Sequence, residues 1–233
     1  MWWAYALFVI CCYLLGSIPL LLYISRWRGV RIDEGEDLHI AVWTRVGRVY
    51  ALYGILFDIF GKGSVPVIVG YFIGLPMGVV LAGAVVSVAG QMWPVFRKFD
   101  GEKGNTVSLG LALVATIVYH QWWIFLIAIP VGIGAGMKVL PKMLAPDQSA
   151  SERFRLGGPQ SRSLPLGIII GFIMMPLIAW GFAYPPELAI AYGALVVIIV
   201  LRRLTAEGLK DDLKAGRLIS VLWNRFLYDR SFV

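Results

Sequence analysis

Residues 2–24 read WWAYALFVICCYLLGSIPLLLYI, twenty-three positions without one charged side chain. A helix needs roughly 20 apolar residues to cross a hydrocarbon core of about 30 Å, so this stretch reads as a membrane span. No basic cluster precedes it, and it runs too far for the apolar centre of a signal peptide, so it is expected to be retained. The rest of the 233-residue chain has the same character: 59% of residues are hydrophobic and 15% charged. Mean hydropathy is +0.76. Soluble domains carry about a quarter charged residues. The expected fold class is therefore an all-α, polytopic membrane helical bundle.

Working outward from that first span, further apolar segments fall at 49–73, 77–95, 105–137, 164–183 and 188–201. The third of these is too long for one crossing and is divided at Tyr119-His120-Gln121. Gly74-Leu75-Pro76 and Tyr184-Pro185-Pro186-Glu187 are turn signals between neighbouring spans. Seven spans result, the fourth and seventh short. Residues 25–48, 96–104 and 138–163 read as polar loops. The expected organisation is a transmembrane domain over 1–204 and a cytoplasmic tail over 205–233. In that tail Leu213, Leu218, Leu222, Trp223, Phe226 and Leu227 mix with Lys214, Arg217 and Arg225, the pattern of an amphipathic helix lying in a membrane interface.

Alternating loops allow a test of orientation, because cytoplasmic loops hold the excess of Lys and Arg. Twenty of the 21 basic residues fall in the first, third and fifth loops and the tail; the exception, Lys62, lies inside an apolar segment. The N-terminus is accordingly expected outside and the C-terminus in the cytoplasm, in the plasma membrane. Basic residues beside spans are explained by topology and anionic headgroups, so the net charge of +7 gives no reason to invoke nucleic acid.

Several chemistries are excluded by inventory. Cys11 and Cys12 are the only cysteines and are adjacent, which rules out a disulfide framework or a C-x-x-C metal site. The histidines are His39 and His120, and His39 is followed five positions later by Thr44, so the H-x4-D arrangement of acyl-CoA-dependent acyltransferases is missing. No H-E-x-x-H or P-loop string occurs. No metal and no cofactor is implied. What remains is anion chemistry. Phe99-Asp100-Gly101-Glu102-Lys103-Gly104-Asn105-Thr106 places a lysine between glycines just before a span. Helix-start N–H groups, glycines and a lysine make a phosphate cradle; a turn with a snorkelling lysine is the plainer alternative. Asp58 and Lys62, four apart within an apolar segment, are either functional or a neutralised packing pair. An ion path through that pair is a weaker option, since no internal repeat of the kind many transporters show is visible. Gly132, Gly134 and Gly136 read as positions of close helix approach.

Taken in order, these motifs resemble the acyl-phosphate glycerol-3-phosphate acyltransferase (PlsY) family. Residues 13–19, YLLGSIP, look like that family's opening helix, and Lys62-Gly63-Ser64-Val65-Pro66-Val67 is similar to its K-G-x-x-P-V segment. Residues 90–104, GQMWPVFRKFDGEKG, resemble its G-H-x-F-P-x-F-x-x-F-x-G-G-K-G, and Ser108-Leu109-Gly110 continues the match. The resemblance implies seven spans, an inner-face site, and transfer of an acyl chain from acyl phosphate to glycerol 3-phosphate to give lysophosphatidic acid. The expected partners are those two substrates and membrane lipid. On this reading Arg45 and Lys103 are catalytic cations, while Gly101, Gly104, Lys62, Arg202 and Arg203 bind substrate phosphate.

The chain departs from the family pattern at several points. Gln91 stands at the usual His and Glu102 at the second Gly of G-G-K-G. In the first loop only Gly35 and Arg45 match G-S-G-N-x-G-A-T-N-x-x-R, and no Asn precedes Leu201-Arg202-Arg203-Leu204, with Glu207 at altered spacing. The alternative reading is a paralogue that binds lipid phosphate, or partners an active acyltransferase, without turnover.

Overall fold

The computed structural model describes residues 2–32, 38–144, 162–206 and 208–229, and among them every regular element is helical. Gly35 and Glu207 lie outside the described residues. The first crossing consists of α1 (Trp2–Gly16) and α2 (Leu20–Trp27). Pro19, which has no N–H to donate, marks the break between them. A short helix, α3 (Leu38–Arg45), precedes the second crossing, which runs through α4 (Arg48–Leu56), a π-helical segment (Phe57–Ser64) and α5 (Val65–Phe72). Next come α6 (Met77–Met92), a 3-10 turn (Val95–Arg97) and α7 (Asn105–Val118). A second 3-10 stretch (Trp122–Ile127) leads into α8 (Ala128–Met143), followed by α9 (Ser163–Gly181) and α10 (Pro186–Thr205). The tail forms α11 (Leu209–Ala215) and α12 (Leu218–Tyr228).

Among the described residues six helices are long and apolar enough to cross a membrane. The seventh apolar helix, α7, has 14 residues. At 1.5 Å per residue it is about 21 Å long, less than a hydrocarbon core. The short fourth span is thus as expected, and the division at Tyr119-His120-Gln121 holds. The seventh span is not short. Pro185 and Pro186 fix its start, and it continues for 20 residues to Thr205. Arg202 and Arg203 therefore belong to its last turn, where positive charge suits the carbonyl end of a helix. The fifth span also overruns the expected boundary at 137: α8 reaches Met143, because Pro141 falls in its last turn and removes only one backbone donor.

Close backbone contact sets the packing. A Cβ at Gly16 would overlap the Ser87 carbonyl, and one at Gly90 the Tyr13 carbonyl, so α1 and α6 touch directly. Gly63 and Gly110 do the same for the π-helical segment and α7. Of the three glycines on α8 only Gly134 meets a neighbour, the Ser163 backbone; Gly132 and Gly136 face open space. Large apolar side chains cover the outside: Phe72, Trp180 and Ile190 are each more than two-thirds exposed, as a lipid-facing surface requires. Trp2, Trp3, Phe72, Trp122, Trp123 and Trp180, all exposed, stand near helix ends, where amphipathic aromatic rings suit a membrane interface.

The tail folds back onto the bundle. Gly216 is extended and splits it into two helices. Val221 and Arg225 of α12 are buried, while Leu218, Ile219 and Trp223 are exposed.

Candidate active site

Two glycines, Gly61 and Gly63, bracket Lys62 and weaken the α-register of the second crossing. The chain answers with a π-helical turn, a feature often found at functional sites. Carbonyls released by the change are satisfied by side chains: Ser64 Oγ donates to Ile59 O at 2.8 Å and Ser87 Oγ to Lys62 O at 2.9 Å. Asp58 and Lys62 share one face of this segment, and both are buried, with 4% and 3% exposure.

Burying two charges is tolerable only if each is answered. Lys62 Nζ lies 2.9 Å from Asp58 Oδ1 and also donates to Gln91 Oε1. That contact fixes the orientation of the Gln91 amide. Its Nε2 donates to Glu102 Oε2 at 2.7 Å and to Asp58 Oδ2 at 3.3 Å. Above these sits His39, brought in by α3, with Nε2 3.1 Å from Asp58 Oδ2 and Nδ1 3.7 Å from Glu102 Oε2. Ligand atoms of His39, Asp58 and Glu102 lie within 4.8 Å of one another, a spacing that a divalent cation could bridge. A small cavity of about 20 Å³ adjoins the network, lined by Gly16, Ser17, Asp58, Lys62, Gln91, Arg97 and Glu102 among others. Beside it an apolar groove of about 590 Å³ is lined by Leu20, Ile24, Tyr50, Tyr53, Leu56, Phe57, Phe60 and Gly61. Leu20 lines both.

The loop between α6 and α7 forms a second grouping. Glu102 N donates to Gln91 O at 3.1 Å, and Phe99 N to Pro94 O at 3.0 Å. Lys98 and Phe99 both take positive φ, an uncommon backbone conformation for side-chain-bearing residues that concentrates at functional sites. Gly101 has no room for a Cβ, which would overlap the Gln91 carbonyl, and Gly104 takes φ +71 as it opens α7. Arg202 clamps the loop from α10, donating to Asp100 Oδ1 at 3.0 Å and to Gly101 O. Lys103 Nζ, in contrast, meets the tail: Asp229 Oδ2 is 2.7 Å away. Arg203 donates to Phe226 O at 3.0 Å and to Pro165 O at 3.3 Å, and its Nε lies 4.0 Å from Asp229 Oδ1. Arg225 binds Asp212 and the Ala206 carbonyl, closing the tail on itself.

These positions refine the expected site. Arg202 and Arg203, expected as phosphate contacts, are buried inside the bundle at the end of α10, where Arg202 donates to the loop and Arg203 to the tail and to the Pro165 carbonyl. Lys62 is neutralised within the network. Gly101 packs the loop against α6. Lys103, with its side chain 37% exposed, is held by an ion pair with the tail, while Lys98 on the same loop is exposed. Arg45 stands at the exposed end of α3, and neither it nor Lys103 lines the small cavity. His120 sits in the turn after α7, ring to ring with Trp122, remote from the network. The residues missed were His39, Gln91 and Glu102. His39 was set aside because its own neighbours fit no motif; the usable signal was that a histidine and two departures from the family pattern fall on the side that holds the basic loops.

The sequence profile of the family described as "Glycerol-3-phosphate acyltransferase" matches residues 6–145. Two proteins of Dehalococcoides mccartyi are similar along almost the whole chain. "Glycerol-3-phosphate acyltransferase 4" of strain CBDB1 is 28% identical over 94% of this chain and 85% of its own. "Glycerol-3-phosphate acyltransferase 5" of strain ATCC BAA-2266 / KCTC 15142 / 195 is 29% identical over 97% and 88%. The crystal structure of PlsY (YgiH), an integral membrane glycerol 3-phosphate acyltransferase, in its glycerol 3-phosphate form shares the fold. Its TM-score is 0.62 at 23% identity, covering 92% of this chain and 94% of that one. The profile match spans more than half of the sequence, and this multi-pass membrane chain belongs to the glycerol-3-phosphate acyltransferase family.

Proposed function

We propose that this protein moves an acyl chain from acyl phosphate to the 1-hydroxyl of glycerol 3-phosphate at the cytoplasmic membrane surface. The products are lysophosphatidic acid, for phospholipid biosynthesis, and inorganic phosphate. The observation that carries the reading is the joint placement of the lysine-bearing loop, the buried polar network and the apolar groove at one end of the bundle. An acyl phosphate is already activated, so the protein has mainly to position two phosphates and a hydroxyl. In this assignment Lys103 binds the acceptor phosphate together with the N–H groups that open α7 after Gly104. Arg45, at the end of α3, supplies a second cation. Arg202 and Arg203 act by holding the loop and the tail. The groove has the size of a small-ligand cleft and an apolar lining suited to the acyl chain.

Orientation follows the positive-inside rule. The first loop, third loop and tail, which hold most of the basic residues, are joined by the His39–Glu102 and Lys103–Asp229 pairs, so they lie on one side. That side is assigned to the cytoplasm, with the N-terminus outside and α12 resting in the inner interface through Leu218, Ile219 and Trp223. Purified protein given acyl phosphate and glycerol 3-phosphate is expected to release phosphate and lysophosphatidic acid in equal amounts. Failure to exceed a protein-free control would contradict the proposal.

A further inference from the structure

Lys103 is the cation assigned above to the acceptor phosphate, and in this structure a carboxylate from the far end of the chain sits on it. Its Nζ lies 2.7 Å from Asp229 Oδ2 and also donates to the Asp229 backbone carbonyl at 3.2 Å. We propose that the C-terminal tail is an autoinhibitory strap, in which Asp229 occupies the place of the acceptor phosphate on Lys103; the proposal rests on the assignment of Lys103 to that phosphate. A carboxylate is the side-chain anion closest to a phosphate in its demands, accepting charge-assisted hydrogen bonds from the same donors. The fit is partial. Asp229 Oδ1 and Arg203 Nε face each other at 4.0 Å, both buried and neither hydrogen-bonded among the described residues.

The fold aims that carboxylate with few anchors. α12 ends at Tyr228, and Asp229 follows it at φ +63, a left-handed conformation that Asp and Asn adopt more readily than other side-chain-bearing residues. Arg203 donates to the Phe226 carbonyl at 3.0 Å and to the Leu227 carbonyl at 3.4 Å, groups that the end of a helix leaves without an intrahelical partner. These contacts from α10 turn residue 229 toward the loop. Arg225 joins α12 to α11 through Asp212, so the two short helices form one unit. Gly208, at φ +77, connects that unit to α10, and α11 has no buried residue. Val221 and Phe226 of α12 pack inward. The strap is thus tethered at a glycine and held at its tip by Lys103 and Arg203.

The Lys103 side chain is 37% exposed, and a partly exposed ion pair contributes little and exchanges partners readily. A phosphate dianion carries more charge and more acceptor oxygens than one carboxylate, so it displaces Asp229, and the last turn of α12 loosens when Lys103 lets go. While Asp229 holds Lys103, only a fraction of the molecules is ready to bind, and apparent affinity falls in proportion to that fraction. Among the described residues, none of the tail lines the small cavity or the apolar groove. The strap therefore sets the concentration at which acceptor binds and leaves the reacting frame alone.

Asp229→Asn and Asp229→Gly remove the charge and keep a residue that accepts the left-handed backbone. The test measures glycerol 3-phosphate binding by calorimetry and hydrogen exchange across residues 218–229, on the full-length parent, both variants and Lys103→Ala. Thermal unfolding identifies a variant that fails to fold, and the other Asp229 variant then decides. Both Asp229 variants should bind glycerol 3-phosphate about three- to fivefold more tightly than the parent. Glycerol 3-phosphate, or inorganic phosphate at higher concentration, should speed exchange in the last turn of α12 in the parent. In Asp229→Asn that exchange should be fast before any addition, and in Lys103→Ala phosphate should leave it unchanged. Binding by the parent with equal or weaker binding in the Asp229 variants would overturn the strap and leave the proposed reaction standing, as would exchange in the parent that phosphate does not alter. Absence of binding in the parent and in both Asp229 variants would instead overturn the assignment of Lys103 to the acceptor phosphate, and the strap with it.

Discussion

The two polar groupings of this bundle meet at adjacent loop residues, Glu102 and Lys103, and are built in opposite ways. Asp58, Lys62 and Gln91 are 3–6% exposed, come from helices locked by glycine contacts, and are hydrogen-bonded to one another. Around Lys103 the ammonium is 37% exposed and its partner, Asp229, lies at the end of the chain's last described helix. Buried pairs are costly to break, whereas exposed ones contribute little and exchange partners readily. The difference separates two tasks: the network is a fixed frame for the reacting groups, and the loop lysine is a cation that a substrate phosphate can take from the tail.

The largest expected effect is a break in the frame. Lys62→Met removes the ammonium that neutralises buried Asp58, which should cost about 3–5 kcal/mol in thermal unfolding and suppress turnover. Adding Asp58→Leu removes the stranded charge. The double variant should regain stability while turnover stays lost, separating the network's packing from its chemistry. Gly101→Ala comes next: its Cβ would push against the Gln91 and Met92 carbonyls and shift the loop, with an expected cost of about 1–3 kcal/mol and a lower kcat/KM.

The all-helical membrane bundle, with six long apolar helices and a shorter seventh, was legible in the sequence because hydropathy sums over many residues. The break at Tyr119-His120-Gln121 was legible for the same reason. The ends of α8 and α10 were not, since the expected boundaries stopped at Lys138 and Arg202, charges that in fact belong to continuing helices. Lys103 and its flanking glycines could be read from local spacing. The His39–Asp58–Glu102 cluster could not, because it joins three segments distant in sequence and depends on a π-helical register that residue periodicity does not announce. Nor could the partners of Arg202 and Arg203: a guanidinium at a helix end reads as available until the fold shows the carbonyls it meets.

Smaller effects belong to the loop lysine. Lys103→Ala should raise KM for glycerol 3-phosphate while changing unfolding by less than about 1 kcal/mol, since the pair with Asp229 is partly exposed. The smallest change is expected from Asp229→Asn. Removing the competing carboxylate should lower KM for glycerol 3-phosphate by a few-fold and leave kcat in place; a raised KM would make Asp229 a support of the site.

Initial rates of lysophosphatidic acid formation, measured against glycerol 3-phosphate concentration for the parent, Lys103→Ala and the Lys62→Met/Asp58→Leu double variant, test the division of labour directly. Lys103→Ala should raise KM by about 10-fold or more with kcat near that of the parent, as loss of uniform binding does, and the double variant should lower kcat with KM near that of the parent. Equal changes in the same parameter for both variants would contradict the account.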